Sequence, residues 1–206
     1  MSDRYSPHAA EWSETAYADS ETYLRRRAQL VADLGTRLEP ADVVCDLACG
    51  DGGVGEFLLA RGLAYLGVDA NDEMVAAARR RLRDRARIER ADLNDYAPTN
   101  PVAATTLFRA LYYARDHASF FRHVASYTEK KIVFDVSPRR YELEPLRAAL
   151  SSAGFPRIEA RPFFVPQRVA LPRPIVATAR AAESIGPLAR LVLRRRFTYV
   201  VSASRS

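Results

Sequence analysis

A chain of 206 residues, 48% hydrophobic and 27% charged, has room for one generous domain but not for two full enzyme domains. This composition excludes a disordered or fibrous chain, and no apolar run approaches the roughly 18 residues of a membrane span. The net charge of +6 is carried by arginine, with lysine only at Lys130 and Lys131; it permits acidic ligands, nucleic acid or anionic membranes and selects none of them.

The opening Met1-Ser2-Asp3-Arg4 is polar and charged, so no secretory signal is expected. The two cysteines, Cys45 and Cys49, form neither a disulfide framework nor a paired metal site. A reducing, cytoplasmic setting without a bound metal is the expectation. Residues 1–36 are polar and free of strand signals, and predict a cap of two helices broken near Ala18-Asp19-Ser20. Its aromatic residues Tyr5, Trp12 and Tyr17 are placed either to staple the first helix or to close over a ligand. Residues 37–165 alternate short apolar runs with helical periodicity. Strands are expected at Val43–Leu47, Ala64–Val68, Arg87–Ala91, Ala104–Phe108, Lys131–Val136 and Arg157–Val165. Helices fall between them, carrying apolar sets such as Val54, Phe57, Leu58 and Met74, Ala78, Leu82. Strands alternating with helices imply parallel pairing through right-handed crossovers. Residues 166–196 then form a helical insertion, broken at Gly186-Pro187, and residues 197–206 a last strand. The whole chain, 1–206, is expected to be one α/β domain built on a doubly wound, mostly parallel, seven-stranded sheet.

The most informative stretch is Asp46-Leu47-Ala48-Cys49-Gly50-Asp51-Gly52-Gly53-Val54-Gly55, where a buried strand turns through glycines into a helix. Such a turn brings backbone close to a ligand, and a free helix N-terminus suits an anion. Gly50, Gly52 and Gly55 match the dinucleotide pattern G-x-G-x-x-G, a weak signal on its own. The acids argue for another ligand. Asp46 lies just before the glycines, where it would repel a pyrophosphate and attract a cation. Asp69 ends the second strand, at the place where a carboxylate can accept both hydroxyls of a ribose. Asp92 ends the third, where a carboxylate can accept from an exocyclic amine. Taken singly, Asp69 or Asp92 is an ordinary helix N-cap. Three acids at successive strand tips describe a phosphate-free nucleoside with a positive centre.

On these residues the chain resembles the class I S-adenosylmethionine-dependent methyltransferases. Asp46-Leu47-Ala48-Cys49-Gly50-Asp51-Gly52 is similar to the family's D-x-G-C-G-x-G, with Ala48 in place of a glycine. Gly67-Val68-Asp69-Ala70-Asn71-Asp72-Glu73-Met74 resembles its G-x-D-x-S-x-x-M, and Ala91-Asp92-Leu93 follows in the right order. The resemblance implies a Rossmann-like methyltransferase fold and S-adenosyl-L-methionine as cofactor. Gly50 and Gly52 would border its methionine part, Asp69 would hold the ribose, Met74 would pack near the adenine, and Asp92 with Leu93 would bind the adenine edge. Asp46, Ala48, Cys49, Ala70 and Arg109 complete the implied cofactor set.

The loop after the fourth strand, Arg109-Ala110-Leu111-Tyr112-Tyr113, lacks the histidine that some members use as a base. Tyr112 and Tyr113 are therefore the candidate catalytic residues, and Arg109 is suited to position an anionic acceptor or the neighbouring loop. The implied reaction is methyl transfer to a small-molecule acceptor, at oxygen, in secondary or specialised metabolism. No RNA-binding appendage is present, so nucleic acid ranks lower as acceptor. The basic insertion around Arg180, Arg190 and Arg194-Arg195-Arg196 is either a solvated face or a peripheral membrane contact. Two rivals share the glycine turn: a nicotinamide-dependent oxidoreductase, and a non-catalytic, methyltransferase-like partner protein.

Overall fold

The five segments Val43–Leu47 (β1), Ala64–Asp69 (β2), Arg87–Arg90 (β3), Val102–Leu107 (β4) and Thr128–Val136 (β5) pair in parallel, in the order β3-β2-β1-β4-β5. They belong to a computed structural model that describes residues 12–164, 172–183 and 198–205. Arg157–Phe163 (β6) and Thr198–Ser204 (β7) complete a seven-stranded sheet, with β7 inserted antiparallel between β5 and β6. β4 begins at Val102 and β5 at Thr128, earlier than expected, because Glu129, Lys130 and Lys131 mask the start of β5.

Parallel neighbours require crossovers, and helices supply them on both faces. Trp12–Ala16 (α1), Ser20–Asp33 (α2), Gly53–Leu59 (α3), Asp72–Leu82 (α4), His117–Ala125 (α5), Leu143–Ser152 (α6) and Arg173–Glu183 (α7) are the helices of the described residues. The side-chain period of two in β1 sends Val44 to one face and Cys45 and Leu47 to the other. The first face packs against Leu24, Ala28 and Val31 of α2, Val54 and Leu58 of α3, and Ala78 and Leu82 of α4. The second packs against Phe120, Phe121 and Val124 of α5, and Leu146 and Leu150 of α6.

Local chemistry fixes the helix ends. Asp19 caps α2 through Thr22 N–H at 3.0 Å, in the break expected at Ala18-Asp19-Ser20. At the other end of α2 the fully buried Lys131 donates from Nζ to the carbonyls of Ala32 (3.3 Å) and Leu34 (2.8 Å). These carbonyls have no intrahelical donor, so a cation there is well placed. Burial still lowers the Lys131 amine to about 8. Gly154, at φ 95, ends the turn after α6.

The insertion is represented by α7, which packs on β6. Tyr5, the break at Gly186-Pro187, and the basic residues Arg190 and Arg194 to Arg196 lie outside the described residues. Among the described residues no helix is long and apolar enough to cross a membrane, and no group of three or more His, Cys, Asp or Glu is arranged to hold a metal ion.

Candidate functional site

The carboxyl ends of β1, β2, β4 and β5 open into a cavity of about 720 Å³, covered from the N-terminal side by α1 and α2. Clefts at this edge are where open α/β sheets bind ligands. Asp46, Asp69 and Asp92 all line it, so the three strand-tip acids share one crevice. Their environments differ. Asp46 is 3% exposed, and its carboxylate accepts from Tyr65 Oη at 2.7 Å and Thr106 Oγ1 at 2.6 Å. Burial raises its pKa to about 6, against the opposing pull of those two hydroxyls and of Arg27. This corrects the picture of a free acid at the strand tip: Asp46 sits within β1, and its oxygens are engaged inside the protein.

Asp69 accepts the Gly50 N–H on Oδ2 and the Asn71 N–H on Oδ1, both at 2.9 Å. Each oxygen keeps a second lone pair for a ligand hydroxyl. Burial raises its pKa, and the Asn71 and Gly50 amides counter part of that rise. Asp92 is held by the backbone N–H of Asn94 at 2.9 Å and by its side-chain amide at 2.8 Å, which keep it below the usual carboxylate range. Asp92 is thus the most readily ionised of the three.

Ala48, Cys49, Gly50, Ala70, Met74, Leu93 and Arg109 also line the cavity. Ala48 adopts φ 57, a left-handed backbone that costs a non-glycine residue about 1–2 kcal/mol, which accounts for the glycine preferred there in the resembling family. Gly50 lies under the Trp12 ring, whose Cδ1 would sit 3.5 Å from a Cβ built on it. Gly52 is placed differently from the expectation. It caps α3 at φ 75, and a Cβ there would meet Leu82 at 2.9 Å, so it serves helix packing and does not border the cavity.

The N-terminus of α3, expected to be open to an anion, is already occupied. Asp51 is 2% exposed and accepts the Gly53 N–H at 3.3 Å, the Ser13 N–H at 3.0 Å and the Ser13 hydroxyl at 2.5 Å. Arg81 pairs with it at 2.9 Å. The protein's own carboxylate therefore takes the seat a pyrophosphate would use, and the same contacts hold α1 with Trp12 over the glycine turn. Trp12 and Tyr17 both line the cavity, as expected for covering aromatics.

The far end of the cavity is built by residues that the sequence did not single out. Arg27, on α2 and 2% exposed, donates to Asp135 Oδ2 at 2.6 Å and to Tyr23 Oη at 2.9 Å. Its guanidinium lies over the rings of Phe108 (4.5 Å) and Tyr23 (4.7 Å). The other oxygen of Asp135 accepts the backbone N–H of Arg109 at 2.6 Å, at a residue held at φ 55. One buried acid thus ties α2 to the loop after β4. That loop continues as a 3₁₀ turn, Leu111–Tyr113, which brings Tyr112 and Tyr113 to the cavity with ring centroids 4.2 Å apart. Arg140, from the segment after β5, lines the same end and lies 5.0 Å over the Tyr112 ring. Burial pushes both cysteine thiols well above their ordinary range, so neither serves as a nucleophile.

Comparison with known proteins adds three kinds of likeness. Residues 44–131 match the family described as methyltransferase domain. Over 119 residues the chain is 37% identical to trans-aconitate 2-methyltransferase of Rhizobium meliloti (strain 1021); the match takes in 55% of this chain and 44% of that protein, so the chain spans less than half of this curated relative. Among solved structures, an S-adenosylmethionine-dependent methyltransferase from Mesorhizobium loti superposes with a TM-score of 0.63 at 21% identity, covering 95% of this chain and 98% of that one. A putative methyltransferase of Haloferax volcanii, solved with its Trm112 activator, gives 0.69 at 18% identity, with both chains covered in full. The magnesium protoporphyrin IX methyltransferase of Synechocystis PCC 6803, with bound S-adenosylhomocysteine, gives 0.64 at 16% identity, over 92% of this chain and 84% of that one. These structures share the fold, which is the Rossmann-like methyltransferase fold expected from the sequence.

Proposed function

The chain resembles the class I S-adenosylmethionine-dependent methyltransferases, with a methyltransferase domain over residues 44–131, and from that premise we propose that it transfers a methyl group from S-adenosylmethionine to an oxygen of a small-molecule acceptor. The observation that carries the reading is the closure of the α3 N-terminus by Asp51 beneath a cavity with an acid from each of three strands. A dinucleotide needs that helix end for its pyrophosphate, whereas a phosphate-free, cationic nucleoside needs the acids. The donor set fits S-adenosylmethionine: Asp69 and Ala70 would hold the ribose, Met74 the adenine face, Asp92 and Leu93 the adenine edge, and the Gly50 backbone the methionine part. When bound, S-adenosylmethionine supplies a methyl group already activated on a sulfonium.

The protein's task is then to orient the acceptor in line with that methyl and to exclude water, which is worth about 7–11 kcal/mol. Trp12 and Tyr17 cover the site, and the Arg27–Asp135 pair fixes the loop that carries Tyr112 and Tyr113. These two tyrosines line the cavity beside the fixed Arg109, and Tyr113 takes the acceptor's proton where the acceptor needs a base. Similarity to an enzyme named for trans-aconitate supports a small-molecule acceptor. We place the work of this domain, residues 1–206 with the insertion at 166–196 bordering the acceptor end, in the cytoplasm, where both free thiols stay reduced.

The direct test is a set of three titrations. S-adenosylmethionine and S-adenosylhomocysteine should each raise the melting temperature, and reduced nicotinamide dinucleotide should not. A rise with the dinucleotide alone would return the chain to the oxidoreductases.

Asp46 makes a second expectation pH-dependent. Its folded pKa of about 6 lies above the ordinary value of 3.8, so it ionises as pH rises through about 6. A nearby sulfonium favours the ionised form, so binding the cation expels the Asp46 proton and S-adenosylmethionine binds more tightly as pH rises. S-adenosylhomocysteine lacks the sulfonium and serves as the control. The preference for S-adenosylmethionine should grow about tenfold from about pH 5 to about pH 7 and should be flat in Asp46→Asn. Calorimetry with both ligands reads the ratio.

A further inference from the structure

We infer that the acceptor end of the cavity is an anion-binding subsite, in which Arg109 and Arg140 grip an oxyacid group, carboxylate or phosphate, borne on an apolar or aromatic body. The inference rests on the methyltransferase reading for the identity of the neighbouring half of the cavity, and names the acceptor class for that reading.

Charge pairing isolates the two arginines. Asp51 is paired with Arg81 and Asp135 with Arg27, while Asp92 lies 3.8 Å from Arg115. Asp46 and Asp69 are satisfied by hydroxyls and backbone amides at the cofactor end. Among the described residues no carboxylate forms an ion pair with Arg109 or Arg140, so the positive charge at this end is uncompensated.

Both guanidiniums are also presented in the same way. Arg109 lies 5.8 Å over the Tyr17 ring and Arg140 lies 5.0 Å over the Tyr112 ring. A guanidinium that lies over a ring keeps in-plane N–H groups for an oxyanion; Arg109 spends part of its fork on the Tyr17 side chain and retains the rest. Arg109 is aimed at a cost, since its left-handed backbone is held by the 2.6 Å bond to Asp135. Phe108, Val136 and Tyr141 supply the apolar wall between the two arginines' segments. An anion on an apolar body satisfies both the charge and the wall; an uncharged acceptor leaves the guanidiniums unanswered.

The test titrates the full chain, saturated with S-adenosylhomocysteine, with three probes: trans-aconitate, phenyl phosphate and the uncharged trimethyl ester of trans-aconitate. At least one anion should bind saturably at or below millimolar concentration, more weakly as salt is raised, and the ester should not. Which anion binds separates a carboxylate from a phosphate preference. Arg140→Gln, a change at an exposed residue that leaves the core untouched, should weaken the anion about tenfold, and Arg109→Gln by a similar factor. Arg140→Lys should recover part of the loss, since it keeps charge but not the fork. Binding of neither anion, equal binding of the ester, or unchanged affinity in both glutamine variants would overturn the subsite. S-adenosylhomocysteine affinity is measured first. Failure there sinks the methyltransferase reading instead, and the anion titration is then read on the chain alone.

Discussion

Arg27→Met should destabilise the protein by about 3–5 kcal/mol, the cost of leaving a buried carboxylate without its partner. Arg27 and Asp135 are almost wholly removed from solvent, with side chains 2% and 6% exposed, and they meet at 2.6 Å. The buried guanidinium also lies over Tyr23 and Phe108, so methionine loses those contacts as well. For a chain of this length the change corresponds to a fall of about 6–20 °C in melting temperature. The double variant Arg27→Met/Asp135→Asn separates charge from packing. Asparagine keeps an oxygen for the Arg109 N–H, now bound at 2.6 Å, but removes the stranded charge. More than half of the lost stability should return in urea unfolding. A double variant no more stable than the single one would mean that the pair's worth lies in packing against the rings and not in neutralisation. The orphaned Nε of Arg27, buried without a hydrogen-bond partner, fits a pair kept for placement and not for maximal stability. That placement is functional in consequence: the same acid sets the Arg109 backbone and hence the loop bearing Tyr112 and Tyr113.

What the sequence made legible was the scaffold and the acids that punctuate it. Apolar runs alternating with helical periodicity mark the central strands, because parallel strands buried on both faces are written in near-continuous hydrophobic stretches, whereas the edge strands β3 and β6 carry charge. Asp69 and Asp92 are legible for the same reason: a charge at the end of such a run has nowhere to be but the sheet edge. Arg27 was hidden inside Arg25-Arg26-Arg27, which passes for a solvated face. Its signal was positional, since it falls four residues after Tyr23 and four before Val31, on the apolar stripe of α2. Asp135 offered a similar clue, an acid between Phe134 and Val136 within a buried strand. The contacts of Asp46 with Tyr65 and Thr106 were beyond reach, because they depend on the registers of β2 and β4 against β1. Arg140 carries no periodic signal at all, as it lies in the turn between β5 and α6. Its role comes only from where the topology returns the chain.

Asp69→Ala should abolish most of the stabilisation that the cofactor confers, and Asp69→Asn should show why. Asp69 has two kinds of bond to lose. Its oxygens accept the Gly50 and Asn71 amides, which shape the glycine turn and the start of α4, and their remaining lone pairs face the proposed ribose. Alanine removes both sets and leaves two amides unanswered. Asparagine keeps one carbonyl oxygen for the turn but offers a donor, not an acceptor, on the other side. Each hydrogen bond from a ribose hydroxyl to a charged group is worth about 1.5–3 kcal/mol, so losing the pair should raise Kd at least about 10²-fold. At a ligand concentration about 100 times the wild-type Kd, the cofactor adds about 2.7 kcal/mol of stability. With Kd raised about 100-fold the same concentration adds only about 0.4 kcal/mol, so a shift of about 5–11 °C in melting temperature shrinks to about 1–2 °C. The ligand-free melting temperatures then apportion the effect. A lower value for alanine than for asparagine reports the turn, whereas a shared loss of ligand response reports the ribose contact. If both variants kept the full ligand shift, Asp69 would be a support for the glycine turn alone, and the nucleoside would have to be held from another strand.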